Sequence, residues 1–188
     1  FLGSSIGITR AENRSQLLNG VLLALKYNES AIIEKCLEDF MEINCAVYRN
    51  YDGNIVVSEC ERPITKHQIL DFDEKYKQGE REFPAKVDKR ITDKIKKITQ
   101  KVYENCNFSG IIRIDYMVKE KQVYLNEINS VPGSLAYYLF SDTLTEFSNV
   151  LNNVIEKAIK DHEKSKTEVR TFNSGILCGW GAKGSKHL

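Results

Sequence analysis

Several chemistries are excluded by what the 188 residues lack. The five cysteines (Cys36, Cys45, Cys60, Cys106 and Cys178) are odd in number and contain no Cys-x-x-Cys pair. This argues against a disulfide framework or a zinc site and for free thiols in a reducing compartment, hence a cytoplasmic location. Histidine occurs three times and never beside a convincing Ser or Cys nucleophile, so triad hydrolysis has no support. No apolar run reaches the length needed to span a bilayer. The net charge of +1 sets up no overall field for nucleic acid or for a membrane surface. There is no internal repeat. What remains is an ordinary globular composition, 41% hydrophobic and 28% charged, long enough for one domain or two small lobes.

The most informative stretch is 110–133. Two β-rich runs, 111–118 and 123–129, flank a polar turn at 119–122, which predicts a hairpin. Acids and amides are rare inside strands, yet Asp115, Glu127 and Asn129 lie in these. Strand side chains alternate between faces, so Arg113 shares a face with Asp115, and Glu127 with Asn129. If the two faces coincide, one surface carries two carboxylates, an amide oxygen and a guanidinium. Such hard oxygen donors suit magnesium, with manganese as a substitute. The alternative is a strand pair whose acids simply face solvent. An odd turn, or an even turn corrected by a β-bulge, is required for both carboxylates to share a face. Pro132-Gly133 ends the second strand beside this surface.

Along the rest of the chain, 1–8 holds Ser4 and Ser5 between glycines, as a plain turn or a phosphate-covering loop would. Asn13 and Gln16 predict the start of a helix whose stripe of Leu17, Leu18, Val21, Leu22 and Leu25 is expected in the core, up to about Tyr27. A short strand is expected at 31–36. Glu38 and Asp39 then form an acidic connector that reads as a hinge. The runs 43–48 and 55–60 around Asp52-Gly53 predict a second hairpin. Residues 61–86 lack periodicity and read as one long loop, either a functional lid or merely solvated, in which Lys75 and Tyr76 can reach an anion. A helix from about Asp88 to Cys106 buries Ile91, Ile95, Ile98 and Val102. After Ser141 or Asp142 as cap, a last helix is expected to about Glu163, with Leu144, Phe147, Leu151, Val154, Ile155 and Ala158 facing inward. The 165–188 tail suggests no role.

The ordered set Gly-Ser-Ser-Ile-Gly (3–7), Glu-Lys-Cys-Leu (34–37), Glu-Lys-Tyr (74–76), Arg-Ile-Asp (113–115), Leu-Asn-Glu-Ile-Asn (125–129) and Pro-Gly (132–133) resembles the D-alanine–D-alanine ligase family of ATP-grasp enzymes over about residues 1–164. The resemblance implies an α+β ATP-grasp fold of antiparallel sheets with packed helices. Residues 1–36 would end the small lobe, 37–164 would form the large lobe with the metal site, and 165–188 would be a tail. It implies ATP-dependent joining of D-alanine to D-alanine or a related acceptor, through an acyl phosphate, for peptidoglycan precursors. The implied partners are ATP, magnesium and these small substrates, with no nucleic acid or membrane and with room for a homodimer of the intact enzyme.

Carried onto this sequence, the resemblance implies that Asp115, Glu127 and Asn129 hold the metal. Glu34, Lys35, Cys36 and Leu37 would line the adenine pocket, and Glu42 would take the ribose. Lys75 would reach the phosphates and Tyr76 would close the lid onto Ser4, while Ser5 meets the transferred phosphoryl group. Arg113 and Gly133 would stabilise the tetrahedral intermediate. Tyr138 stands where many members carry the Ser that binds the acceptor carboxylate, beside Leu139, which leaves the acceptor open. The alternatives are a carboxylate–amine ligase with another acceptor, and a nucleotide-binding module that does no chemistry. The chain opens without Met, directly in the Gly-Ser loop, and reads as a segment of a longer protein. The family's N-terminal domain and the lysine-bearing strand before that loop are missing, so the segment alone is expected to be inactive.

Overall fold

A computed structural model describes residues 7–64 and 80–167. Its centre is a four-stranded antiparallel sheet in the order β2-β1-β5-β6, built from β1 (Met41–Arg49), β2 (Ile55–Val57), β5 (Ile112–Lys119) and β6 (Gln122–Asn129). One face is a core. Ile43, Cys45 and Val47 of β1 and Ile112, Ile114, Tyr116 and Val118 of β5 alternate onto it. They pack against Ile95 and Tyr103 of α2 (Lys89–Asn105). Each fully buried Ile contributes about 1.5–3 kcal/mol, so this layer dominates the stability. Its buried hydroxyls are paired: Thr99 Oγ1 and the Tyr116 phenol lie 2.7 Å apart. α2 is capped by Asp88, whose carboxylate accepts from the Arg90 amide.

The opposite face is only partly covered. Ala46 is sealed by Ala136 and Leu139 of a 3₁₀ segment, Gly133–Leu139. Tyr48 is sealed by Phe147 of α3 (Leu144–Lys166) and by Ile111. Within the 3₁₀ segment Ser134, Leu135 and Ala136 all have φ near +51°, in the left-handed region. For L-residues that conformation costs roughly 1–2 kcal/mol each, so the surroundings must hold the turn.

The two hairpins and α2 form where the sequence predicts them, although β2 ends at Val57 rather than at 60. Four expectations need correction. First, α1 (Arg14–Ala24) is capped by Asn13, which accepts from the Gln16 amide at 3.0 Å, but the helix buries nothing. Leu17, Leu18, Leu22 and Leu25 are exposed. Amphipathic spacing establishes an apolar face, not that something covers it, and none of the described residues does.

Second, residues 31–36 are not a strand. They have no regular structure and Ile32 and Ile33 are exposed, because a strand needs a pairing edge and the described residues offer none there. Third, the ends of the 61–86 loop are paired: β3 (Arg62–Pro63) and β4 (Arg81–Glu82) form a two-stranded sheet, too short to show a period. Fourth, the cap of α3 is Thr143, whose hydroxyl accepts from the Glu146 amide, rather than Ser141 or Asp142. Of its anticipated stripe, Phe147 is buried while Leu144 and Ile155 are exposed. That helix sits on the end of the sheet, which is too small to cover its whole length.

Candidate active site

The β5–β6 hairpin turns through Glu120 and Lys121 alone, both at positive φ, and pairs Lys119 with Gln122. An even turn of this kind would set Asp115 opposite Asn126. The ladder instead shifts between Asp115 and Tyr116, and pairs Asp115 with Glu127 and Arg113 with Asn129. Asn126 is the residue left over, a β-bulge. Directly paired residues share a face, so Arg113, Asp115, Glu127 and Asn129 lie together on the partly open side of the sheet. On β1, Asn44 pairs with Asp115 and completes the row; Glu42, two residues away, shares its face.

Asp115 is only 5% exposed. Arg113 grips it with two hydrogen bonds, Nε to Oδ1 at 2.7 Å and Nη2 to Oδ2 at 2.8 Å. Asn129 Nδ2 also donates to Oδ2, at 3.0 Å. Burial opposes the charge on Arg113, but the bonds and charge of Asp115 outweigh it and hold its pKa above the usual value. The third arm, Nη1, donates to the Tyr138 hydroxyl at 3.1 Å. Burial raises the pKa of Tyr138 despite nearby Arg113, which keeps the phenol protonated through neutral pH.

Glu127 differs from Asp115. It is exposed, with no hydrogen bond or ion pair to the described residues. An unpaired carboxylate, a second carboxylate directly across the ladder and an amide whose nitrogen is already engaged present hard oxygens on one face. Those donors fit magnesium or manganese, which leave further positions to water and phosphate. No group of three or more His, Cys, Asp or Glu gathers among the described residues, so such a site would lean on the Asn129 oxygen.

The other anticipated residues are dispersed. Glu34, Lys35 and Cys36 are exposed and Leu37 is half-buried, all in irregular backbone. The connector after them is tied down: Glu38 pairs with Arg10, and its carbonyl accepts from Lys119 Nζ, at the hairpin tip, at 2.8 Å. Gly133 is exposed at the start of the 3₁₀ segment, whereas the Leu139 side chain is core rather than free for substrate. Ser4, Ser5, Lys75 and Tyr76 lie outside the described residues.

Three residues of the site were not anticipated. Glu61, 5% exposed, bridges β1 opposite Asn44, whose Nδ2 lies 3.4 Å from its Oε2. Arg81 Nη1 lies 3.4 Å from its Oε1. Asn44 Oδ1 is buried without a hydrogen-bond partner among the described residues. Asn44 carried the signal that marked Asp115, a polar residue inside an apolar run; Glu61 and Arg81 are recognisable only from pairing and stacking in three dimensions.

Residues 1–160 match the family model described as D-ala D-ala ligase C-terminus. The chain belongs to that family. It is 33% identical over 184 residues to a D-alanine–D-alanine ligase of Thermosipho africanus, covering 94% of this chain and 49% of the relative. Against the ligase of Campylobacter concisus it is 36% identical over 177 residues, covering 92% and 49%. The chain thus spans about half the length of the curated relatives it matches. The crystal structure of the Helicobacter pylori D-alanine–D-alanine ligase superposes with a TM-score of 0.63 at 29% identity, over 82% of this chain and 44% of that one. The Coxiella burnetii ligase gives 0.67 at 22% identity, over 88% and 44%, and supports the fold alone. The family's α+β ATP-grasp architecture accounts for the antiparallel sheet and its packed helices. Among the described residues no helix is long and apolar enough to cross a membrane.

Proposed function

We propose that the protein carrying this chain is an ATP-dependent carboxylate–amine ligase. It joins D-alanine to D-alanine or a related acceptor through an acyl phosphate, for peptidoglycan precursors in the cytoplasm. The observation that carries this reading is the hairpin face: in a member of this family, Arg113 and Asp115 stand directly across from Asn129 and Glu127. Asp115, Glu127 and Asn129 would hold magnesium, which when bound offsets charge on the nucleotide phosphates. Arg113 keeps its cation at this face because Asp115 holds it by two bonds. A fixed guanidinium can stabilise negative oxygen that develops during acyl transfer, without reorganising at the moment of reaction.

In this reading residues 1–36 end a small lobe whose Glu34, Lys35, Cys36 and Leu37 take the adenine, with Glu42 at the ribose. Residues 37–164 form the large lobe, and a homodimer is the natural assembly to test. Phosphate release by the full-length protein, with ATP and magnesium and with or without D-alanine, is the direct experiment. Release stimulated by D-alanine supports the ligase; no stimulation by any amino acid in a panel refutes it. A ligase with a different acceptor is the second reading. It is favoured by Tyr138, whose bulk and bond to Arg113 change the place where the family resemblance implies a Ser.

A further inference from the structure

Tyr138 is held from two sides. Its hydroxyl accepts from Arg113 Nη1 at 3.1 Å, and its ring lies under the guanidinium of Arg81, 4.8 Å from Cζ to the ring centroid. Phe83 flanks the same guanidinium at 5.7 Å. Arg81 is in turn fixed by Glu61, at 3.4 Å. Glu61 is almost completely buried, and among the described residues its other oxygen meets only the Asn44 amide. A carboxylate so placed requires a cation. Glu61 is therefore the tether, and Arg81, whose side chain is 42% exposed, is the group it positions.

Both held groups keep donors in reserve. A guanidinium has five N–H donors, and among the described residues Arg81 uses one, on Glu61. The Tyr138 oxygen accepts a hydrogen bond from Arg113, which leaves its own O–H to donate, and no described residue accepts it. Donation from a cation also polarises the phenol and strengthens that O–H as a donor to an anion. The guanidinium covers the ring that carries this hydroxyl, so both sets of donors belong to one stacked pair.

We propose that Arg81, tethered by Glu61 and stacked on Tyr138, is a specificity-determining residue that receives, together with the Tyr138 hydroxyl, the carboxylate of the amino-acid acceptor. This rests on the ligase reading above, because it needs an acceptor that carries a carboxylate. A Ser at position 138 would hold its hydroxyl close to the backbone. The phenol carries it outward to Arg113, on the ring that Arg81 covers. An anionic oxygen at that point has a second source, a nucleotide phosphate, and the kinetics separate the two.

The test uses Arg81→Met and Arg81→Lys in the full-length enzyme. Arg81→Met should raise the KM for the acceptor by about tenfold or more, with kcat and the KM for ATP little changed. Arg81→Lys keeps the charge but loses the planar stack, and should fall between. An unchanged acceptor KM overturns the proposal, and so does a rise confined to ATP. Because Arg81→Met strands a buried carboxylate, the Glu61→Gln/Arg81→Met pair serves as the folded control and must show the same rise. A second readout needs no turnover: the Arg81 Nε–H resonance of the full-length protein is followed during titration with acetate and with D-alanine, against chloride at equal ionic strength. A shift with both carboxylates supports the site; no shift overturns it whatever the activity. A responsive Arg81 in an enzyme that releases no phosphate with any amino acid overturns the ligase reading and leaves the site standing.

Discussion

Asp115 and Glu127 face each other across the β5–β6 ladder because Asn126 is left out of it. The same pair also differs in environment, Asp115 buried and gripped by Arg113, Glu127 exposed and unpaired. Their conservative amides should therefore separate stability from chemistry. Glu127→Gln should change stability by no more than about 0.5 kcal/mol. Asp115→Asn breaks a nearly buried ion pair and should destabilise by about 3 kcal/mol. Both should lower turnover of the full-length enzyme by about a hundredfold or more. Denaturant melts beside phosphate-release assays decide it; near-normal turnover by Glu127→Gln would sink the metal assignment.

The hairpin turn offers an engineering check. Glu120 and Lys121 both occupy the left-handed region, where L side chains are strained and Asn-Gly is preferred. Replacing them by Asn and Gly should stabilise the chain by about 1 kcal/mol. A lower melting temperature in the double variant would mean that the turn is not of this type.

At the start of α3, Thr143→Ala should cost about 1 kcal/mol, since its hydroxyl accepts from the Glu146 amide. Ser141→Ala and Asp142→Ala should be close to neutral. Equal losses at all three positions would argue against a cap at Thr143.

Alkaline pH should weaken the fold. Burial raises the pKa values of Tyr48, Tyr103, Tyr116 and Tyr138 above 10.0. In the unfolded chain these phenols ionise near pH 10, whereas the folded protein retains their protons. The stabilisation is fully present below that pH and is lost as pH rises through the folded values. Denaturation midpoints should fall between pH 9 and pH 11, and tyrosinate absorbance should show a late-ionising group that unfolding releases. Simultaneous ionisation of every tyrosine near pH 10 in the native protein would contradict this.

The site was legible in the sequence where polar residues interrupt a strand. Asp115 and Glu127 break an otherwise apolar alternation, and only two faces exist to put them on. Whether those faces coincide turned on one residue of register, which composition does not encode; the bulge at Asn126 decided it. α2 was legible because Ile91, Ile95 and Ile98 repeat at the helical period. The exposure of α1 was not, since a stripe of leucines says nothing about its cover. The Arg81–Tyr138 stack joins two segments distant in sequence and became visible only when folding brought them together.

The bulge also gives this hairpin freedom to change length over evolution. Losing Asn126 would leave the two-residue turn and a regular ladder that still sets Asp115 across from Glu127. A residue gained in the 120–121 turn would lie outside the ladder and leave that pair in place. Functional relatives should therefore tolerate a gap at position 126, or a longer turn, each without the other.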